Sequence, residues 1–315
     1  MPGTSSPALL GRSSPMPELP EVEVVRRGLA PAVSGARVTG VDVLDARSLK
    51  RHRDASGATH NALDFVAGLE GMRLVAPERR GKFLWVPIAT DAAAPPKALV
   101  AHLGMSGQLL VRLPSAQEDR HTRIRIRVEA PHGTVYEVRF ADQRRFGSLA
   151  VDSLVLDPTH PEHLVPSQVL HIARDPLDEL FDADAVRARM RATSRAVKTV
   201  LLDQRVVSGI GNIYADEALW SARVHWAKPA NRISTRKVNE LLLQTRLVME
   251  QALAEGGTSF DALYVNVNGE SGYFARSLNV YGRAGKPCNR CGASIMREHF
   301  MNRSSFRCPR CQRLR

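Results

Sequence analysis

Apolar residues near the start of the chain recur at the spacing of a helix. They fall three or four positions apart at Val22, Val25, Leu29 and Val33. This period predicts an amphipathic helix from about Pro20 to Val33, since Pro20 suits the first turn and Gly35 is a stop signal. Glu21 and Glu23 lie near its N-terminus, where the helix dipole favours negative charge.

Alternation of apolar and polar residues replaces this pattern from Arg37 to about Val151. The predicted strands are Val38–Leu44, Lys82–Ile88, Ala98–Leu103, Thr122–Val128 and Thr134–Phe140. In the fourth strand arginines at 123, 125 and 127 alternate with apolar residues, which predicts a sheet with one wet, basic side. Several short strands without intervening helices are typical of a β-sandwich or barrel.

The pattern changes again beyond residue 151. Residues 152–170 are rich in proline and are interpreted as a linker, and helical spacing dominates from about Asp175 to Glu255. Residues 256–282 are rich in glycine and are interpreted as a mobile loop region. The domains predicted from these changes are a disordered segment 1–15, a strand-rich domain 16–151, the linker, a helical domain 171–282 and a terminal module 283–315.

The formal charge of the 315-residue chain is +12, which indicates a polyanionic partner such as nucleic acid. Nine Lys or Arg residues and one acidic residue lie between Arg283 and Arg315. No run of about 18 apolar residues indicates a membrane span. The first 15 residues are too short and too rich in Pro and Ser for a secretory signal. We therefore expect a cytoplasmic protein without a membrane partner.

All four cysteines lie in this basic module with the spacing C-x2-C-x16-C-x2-C. Paired cysteines in a cytoplasmic protein favour a metal over disulfides. The pattern predicts one structural zinc ion held by Cys288, Cys291, Cys308 and Cys311. The segment Asn302-Arg303-Ser304-Ser305 lies near the tip of a predicted hairpin and suits contact with phosphate. A finger that only stabilises the fold is the alternative on spacing alone.

Two helical patterns in the second half of the chain flank a turn that contains glycine. They cover Val197–Gln204 and Ile213–Trp220, and Gly209 and Gly211 allow tight backbone geometry between them. Asn212 is predicted to cap the second helix, whose free N–H groups form a ready phosphate site. An ordinary helical hairpin fits the same pattern.

Six motifs in this order resemble the formamidopyrimidine-DNA glycosylase family over residues 16–315. They are Met16-Pro17-Glu18-Leu19-Pro20-Glu21-Val22-Glu23, Arg80-Gly81-Lys82, His102-Leu103-Gly104-Met105-Ser106-Gly107, Asp142-Gln143-Arg144-Arg145-Phe146-Gly147, the turn Ser208–Tyr214 and the four cysteines. The resemblance implies an α+β multidomain fold. Its parts are an N-terminal catalytic β-sandwich with a leading helix, a helical helix–two-turn–helix domain and a C-terminal four-cysteine zinc finger, with DNA in the cleft between them.

The same resemblance implies the catalytic groups. Pro17 would be the nucleophile as a free N-terminal amine, and an α-amino group with a pKa of ~7.7–8 is neutral far more often than lysine at neutral pH. Glu18 would protonate the sugar or the leaving base if burial raises its pKa. Lys82 would donate a proton or bind the adjacent phosphate, Glu21 would orient the site, and Arg303 would assist the second elimination.

Residues that enter or grip the duplex also follow from the resemblance. Met105, Arg144 and Phe146 would fill the space that a flipped nucleotide leaves. The residues implied as phosphate contacts are His121, Lys198, Asn212 and Arg303, with Arg195 as a further candidate. The loop Gly256–Gly272, within the mobile lesion loop 256–282, would cover the flipped base.

The expected protein is thus a bacterial, nucleoid-associated DNA glycosylase and lyase that excises oxidised purines from damaged double-stranded DNA. We expect it to act as a monomer, because a cleft for bent duplex needs no second subunit. Two alternatives stay open. One is the sister class that acts on oxidised pyrimidines. The other is a zinc-finger protein that binds damage without catalysis.

Residues 1–15 decide between catalysis and binding alone. Inside a chain the Pro17 nitrogen is a tertiary amide, which has no lone pair free to attack. We therefore expect translation to start at Met16, whose removal exposes Pro17. If residues 1–15 remain, Pro17, Glu18 and Lys82 are idle.

Overall fold

The computed structural model describes residues 17–89, 94–258, 267–268 and 273–314. Its first element is helix α1 (Leu19–Val33), close to the predicted bounds. Pro20 lies in the first turn, where the missing N–H costs no hydrogen bond. Gly35 has a φ of +75° and turns the chain into the first strand.

Antiparallel strands and one short helix fill the N-terminal domain. In chain order they are β1 (Arg37–Val43), α2 (Ala62–Ala67), β2 (Arg73–Leu74), β3 (Glu78–Arg80), β4 (Phe83–Ala89), β5 (Lys97–His102), β6 (Gly107–Arg112), β7 (Thr122–Glu129), β8 (Val135–Asp142), β9 (Ser148–Asp157) and β10 (His160–Pro166). The strand order is β10-β9-β5-β4-β2-β1-β7-β8-β6, with β3 paired to β4.

The main core lies between the two halves of this folded sheet. Ile126 of β7 and Phe140 of β8 pack in one cluster with Leu84 of β4 and Leu149 of β9. Helix α1 covers the same cluster through the apolar side that its period predicted, including Val22. This arrangement confirms the predicted β-sandwich with a leading helix.

The predicted linker 152–170 is wrong. Strand β9 continues to Asp157, and β10 pairs with it, with Val165 opposite Val155. Val165, Val169 and Ile172 then pack on the outer face of β4 and β5. The prolines are tolerated because β10 is an edge strand, where one missing N–H leaves little of the ladder unpaired.

The basic side of β7 is not a free cationic surface. Arg125 and Arg127 both form ion pairs with Asp42 on the neighbouring strand β1. Arg123 lies 3.8 Å from Asp45. These carboxylates offset part of the charge of the three arginines. The strict alternation therefore predicted the buried face correctly but did not reveal the charged partners on the other face.

Four helices form the second domain, α3 (Ala183–Arg191), α4 (Val197–Leu201), α5 (Asn212–Ser221) and α6 (Thr235–Ala254). Its core contains Ile210, Tyr214, Leu219 and Leu241, all fully buried. Leu19, the first residue of α1, is also fully buried in this helical core. The start of α1 is therefore shared by both domains.

The terminal module is a hairpin of β11 (Met296–Phe300) and β12 (Arg303–Arg307), as the cysteine spacing predicted. Of the predicted mobile loop 256–282, residues 259–266 and 269–272 lie outside the described residues. Its last part is packed rather than mobile, because Phe274 and Leu278 are buried in the helical core and Val280 is buried beside Cys288. Among the described residues, no helix is long and apolar enough to cross a membrane.

Candidate active site and zinc centre

The Glu18 carboxylate lies at the N-terminus of α5. Its oxygens accept hydrogen bonds from the backbone N–H groups of Gly211 at 2.7 Å, Ile213 at 2.9 Å and Tyr214 at 3.2 Å. The Leu19 N–H donates to the Gly209 carbonyl at 3.0 Å. Free N–H groups at a helix start attract negative charge, so this end of α5 binds a carboxylate of the protein itself.

Glycine at position 211 makes this approach possible. A Cβ atom there would overlap the carboxyl carbon of Glu18, far inside contact distance. The φ of Gly211 is −124°, which other residues also adopt. Glycine is therefore required because the Glu18 carboxyl group fills the place of a side chain, and not because of the backbone conformation.

Burial controls the charge of the two groups at this site. Glu18 is 2% exposed, and burial raises its pKa to about 7 against the opposing attraction of the Lys82 ammonium. Burial lowers the pKa of Lys82, which Glu18 counteracts and Arg303 reinforces. The Lys82 Nζ donates to the Ile210 carbonyl at 3.0 Å, so the lysine is held at the same turn.

Glu21 lies below Glu18 in a second buried network. Its carboxylate accepts the Glu18 N–H at 2.9 Å and the Tyr214 hydroxyl at 2.7 Å. The Thr258 N–H and hydroxyl both donate to it at 2.8 Å. Glu21 thus connects the start of α1 to α5 and to Thr258, which follows α6.

A cleft of about 410 Å³ opens beside Glu18, where the three domains meet. Lys82 and His102 line it from the sandwich, Arg195 and Gly211 from the helical domain, and Arg303 from the finger. Burial and nearby cations lower the pKa of His102 to about 4, so its ring is neutral. The wall is therefore cationic through Lys82 and Arg303, which suits a bound phosphate, whereas Arg195 forms an ion pair at 3.0 Å with Asp203 of the same wall.

The implied duplex-entering residues lie on two loops next to His102. Phe146 is 44% exposed, and the Arg144 guanidinium lies 5.0 Å from the centre of its ring. Met105 lies half-buried on the loop between β5 and β6. His121 has a φ of +69° at the start of β7. The backbone connects His121 to the second of these loops, since its carbonyl accepts the Asp142 N–H at 3.0 Å.

Lys198 does not occupy the surface position implied for a phosphate contact. Its side chain is fully buried, and its Nζ donates to Asp216 at 2.7 Å and lies 4.7 Å from the centre of the Phe300 ring. A buried ammonium needs a partner charge, and the ion pair with Asp216 supplies it. The predicted contact is therefore corrected to a connection between the helical domain and the finger.

Asn212 also differs from its predicted role as a helix cap. It is the first residue of α5, and the cap position belongs to Gly211. The Asn212 side-chain amide donates to the Ser304 carbonyl at 2.9 Å, beside Arg303 at the hairpin tip. Glu18 provides the capping carboxylate in its place.

The four cysteines form a metal site. Their sulfur atoms all lie within 4.8 Å of one another, and Cys291 Sγ lies 3.4 Å from Cys308 Sγ. Tetrahedral zinc with Zn–S bonds of about 2.3 Å requires S···S distances near ~3.8 Å, so the donors fit the ion. The Trp220 indole N–H donates to Cys288 Sγ at 3.4 Å, as outer-shell donors to zinc thiolates do.

Sequence reasoning missed two buried carboxylates of α5, one of which holds the finger and the other the segment that leads into it. Asp216 accepts the Ser305 hydroxyl at 2.8 Å and the Phe306 N–H at 2.9 Å. Glu217 accepts the N–H groups of residues 279, 280 and 281. The sequence feature that could have revealed them is the acidic pair Asp216-Glu217 within the apolar run of α5, because charged residues on a buried helix need buried partners.

Comparisons with known proteins agree with this architecture along nearly the whole chain. Residues 16–149 match the formamidopyrimidine-DNA glycosylase N-terminal domain, residues 172–262 its H2TH (helix–two-turn–helix) domain, and residues 285–314 a zinc finger found in FPG and IleRS. The formamidopyrimidine-DNA glycosylase of Leifsonia xyli subsp. xyli is 56% identical over 95% of this chain and 100% of the relative. That of Thermobifida fusca is 54% identical over 94% and 97%.

Solved structures show the same fold. MutM (Fpg) from Thermus thermophilus is 33% identical over 94% of this chain and 98% of that chain, with a TM-score of 0.74. Lactococcus lactis Fpg in a complex with abasic-site DNA is 27% identical over 94% and 100%, with a TM-score of 0.76. The fold and these matches define a DNA glycosylase of base excision repair. The chain belongs to the formamidopyrimidine-DNA glycosylase family, and its four-cysteine finger is a zinc site.

Gly211→Ala tests the space that Glu18 needs. The added methyl group displaces the carboxylate from the start of α5, and we expect base excision to fall by roughly 100-fold, since small misplacements at a reacting centre have such effects. Single-turnover excision and thermal unfolding are measured together. Gly68→Ala is the control, because Gly68 has a φ of −73° and its new Cβ would meet no atom closer than 3.3 Å. Full activity of Gly211→Ala would contradict this interpretation.

Removal of zinc tests the role of the finger. Without the metal we expect the hairpin to unfold, because folding and metal binding are coupled in such modules. The contacts of Asp216 and Asn212 are then lost, Arg303 leaves the cleft, and affinity for DNA falls. Zinc content, tryptophan emission, which Trp220 reports beside Cys288, and DNA affinity are followed during chelation and after zinc is restored. Unchanged DNA affinity in metal-free protein would exclude this role.

Proposed function

We propose that this chain excises oxidised purines, 8-oxoguanine and formamidopyrimidines, from damaged duplex DNA and then cleaves the strand as a lyase. The observation that carries the proposal is the buried Glu18, whose pKa of about 7 suits a proton donor near neutral pH. Glu18 follows Pro17 in the chain, and its carboxylate is bonded to Gly211, which lines the cleft together with Lys82 and Arg303. The proposal adds a lesion class and a mechanism to the family assignment.

Pro17 supplies the nucleophile in this mechanism. It is buried next to Glu18, and its nitrogen can attack only as an amine, so the active form of the enzyme begins at Pro17. The nitrogen bonds to sugar C1′ as the bond to the base breaks. The resulting iminium of a secondary amine has no N–H to lose, so it stays cationic and accepts the electrons that strand cleavage by β- and δ-elimination releases.

Glu18 and Lys82 move the protons in these steps. Protonated Glu18 donates to the sugar oxygen or to the leaving base, and the three N–H groups of α5 stabilise the carboxylate that remains. Lys82 binds the adjacent phosphate or donates a proton from the cleft wall. Arg303 lies on the exposed hairpin tip and assists the second elimination, and Glu21 orients Glu18 through its backbone N–H.

Met105, Arg144 and Phe146 fill the duplex after the lesion is flipped. Phe146 is an apolar wedge, Met105 adapts to the gap, and Arg144 pairs with the base left without a partner. The Phe146 exposure and its contact with Arg144 support this role. His121, Arg195, Asn212 and Arg303 hold the phosphates around this point.

The same chemistry would serve an oxidised pyrimidine. A Lactococcus lactis Fpg has been solved in a complex with an oxidized pyrimidine containing DNA. Excision of 8-oxoguanine and of thymine glycol by this chain, compared under one condition, decides the preferred lesion. We propose a monomer in the bacterial cytoplasm, at the nucleoid, since one chain supplies every wall of the cleft.

Borohydride trapping tests the nucleophile. Protein that begins at Pro17 is expected to form a covalent adduct with a duplex carrying 8-oxoguanine opposite cytosine, because hydride reduces the iminium to a stable amine. Peptide mapping should locate the adduct at Pro17. The chain of 315 residues is the control, since Pro17 is an amide within it and no adduct is expected. An adduct on a lysine, or none with the Pro17 form, would refute this mechanism.

The pH dependence tests Glu18 as the acid. Its protonated form is depleted above about pH 7, so kcat/KM for base excision should fall on that side. Glu18→Gln is expected to lower excision by about 10²–10⁴-fold and to remove this alkaline limb, since its amide cannot donate a full proton. Excision across a pH series, with DNA affinity measured in parallel, checks both. An alkaline limb that persists in Glu18→Gln would assign it to another group.

A further inference from the structure

A buried carboxylate contacts the two loops that carry Met105, Arg144 and Phe146, which are called the wedge loops below. Asp142, the last residue of β8, is fully buried. Its Oδ1 accepts the Ser106 hydroxyl at 2.5 Å and the N–H groups of Arg144 at 3.1 Å and Arg145 at 3.0 Å. Its Oδ2 accepts the Gly147 N–H at 2.7 Å. One side chain therefore joins the loop of Met105 to the loop of Phe146.

The backbone of Asp142 extends this connection to a third segment. Its N–H donates to the His121 carbonyl at 3.0 Å, and its carbonyl accepts the Arg123 guanidinium at 3.0 Å. His121 has a positive φ, a conformation that needs support from its surroundings. The start of β7 is thus fixed to the same residue as the two wedge loops.

The two wedge loops also touch each other directly. The Ser106 hydroxyl, which donates to Asp142, accepts the Arg144 N–H at 3.2 Å. A Cβ atom on Gly104 would overlap the backbone carbonyl group of Phe146, so no side chain fits between the loops. Movement of one loop therefore displaces the other.

Hydrogen bonds, rather than burial of apolar side chains, must fix the conformation of the two wedge loops. Their tips are open to solvent, with Phe146 44% exposed, so little core packing is available to fix them. Hydrogen bonds from N–H and O–H groups to a carboxylate are stronger than hydrogen bonds to a neutral acceptor. Asp142 is the group that the loops share.

We propose that Asp142 is a positioning residue that holds Met105, Arg144 and Phe146 as one rigid wedge, so that all three enter the duplex together. This inference rests on the proposed function, since it concerns how a damaged base is flipped. Asp142 touches neither the substrate nor the reacting atoms. It acts by keeping three side chains in one geometry before DNA arrives, which removes the entropic cost of ordering them on binding.

Asp142→Asn is the variant that tests the carboxylate most directly. Asparagine keeps the size of the side chain, but its NH₂ group would face an N–H donor in place of an acceptor oxygen. Ser106→Ala is a milder second variant that removes only the hydroxyl between the two loops. Asp152→Asn is the matched control, because Asp152 also accepts a serine hydroxyl and a backbone N–H, from Ser167 and Gln168, but lies away from the wedge loops.

The experiment uses the protein that begins at Pro17, the form that the proposed function requires, and two lesion substrates. The first is a duplex with a tetrahydrofuran abasic analogue and 2-aminopurine beside it, whose fluorescence rises when the wedge breaks stacking. The second is the same lesion in single-stranded DNA, where no wedge is required. Rate and amplitude of the fluorescence change, affinity for both substrates and thermal unfolding are measured for each variant.

We expect Asp142→Asn to slow the fluorescence change by roughly tenfold or more, the effect of losing one or two charge-assisted bonds. Ser106→Ala should slow it less, and Asp152→Asn should match the unaltered chain. Affinity for single-stranded DNA should stay within about twofold for all variants. A uniform loss on both substrates would mean a general structural role and would overturn the inference.

The two hypotheses fail in different ways. If the unaltered chain neither binds the lesion duplex nor raises the fluorescence, the proposed function is wrong. If it does both and Asp142→Asn behaves identically while folded, only the positioning role of Asp142 is wrong. A slower fluorescence rise with unchanged single-strand affinity, in Asp142→Asn and to a smaller degree in Ser106→Ala, supports the inference.

Discussion

The structure depends on the bond between the Glu18 carboxylate and the N-terminus of α5. The bond joins residues 193 positions apart and brings the first turn of α1 into the helical domain. It satisfies N–H groups that a helix start leaves free, and it removes Glu18 from water. Burial then raises the pKa of Glu18 to about 7. The contact that connects two domains thus also gives the acid the protonation range required for its proposed chemistry.

Buried carboxylates repeat this arrangement at the other junctions. Asp175 accepts the Arg79 guanidinium at 2.7 Å and the Gly81 N–H at 3.1 Å, next to Lys82. Asp216 binds the finger to α5, and Glu217 binds residues 279–281, which lead into the finger. Unpaired buried charge is costly, so each of these groups fixes the relative position of two segments. In the cleft wall, Lys82 and Arg303 are cations, whereas Arg195 forms an ion pair with Asp203 at 3.0 Å.

Sequence patterns predicted the elements whose signals are local. The period of α1, the alternation in β7 and the spacing of the cysteines each involve residues that lie near one another in the chain. The linker prediction failed because the prolines of 152–170 also fit an edge strand, and only the neighbour β9 decides between these states. The alternating arginines of β7 looked like a basic surface until Asp42 and Asp45 were placed beside them.

The sequence by itself determined the fold class, the family and the zinc ligands, because ordered motifs and ligand spacing are properties of the chain alone. By resemblance it also proposed Glu18, Lys82 and Arg303 as catalytic residues. Only the tertiary structure showed that Glu18 caps α5, that Lys198 is buried against Asp216, and that the wedge loops share Asp142. Burial and the partners of a charge depend on which distant segments meet, and no local period records that information.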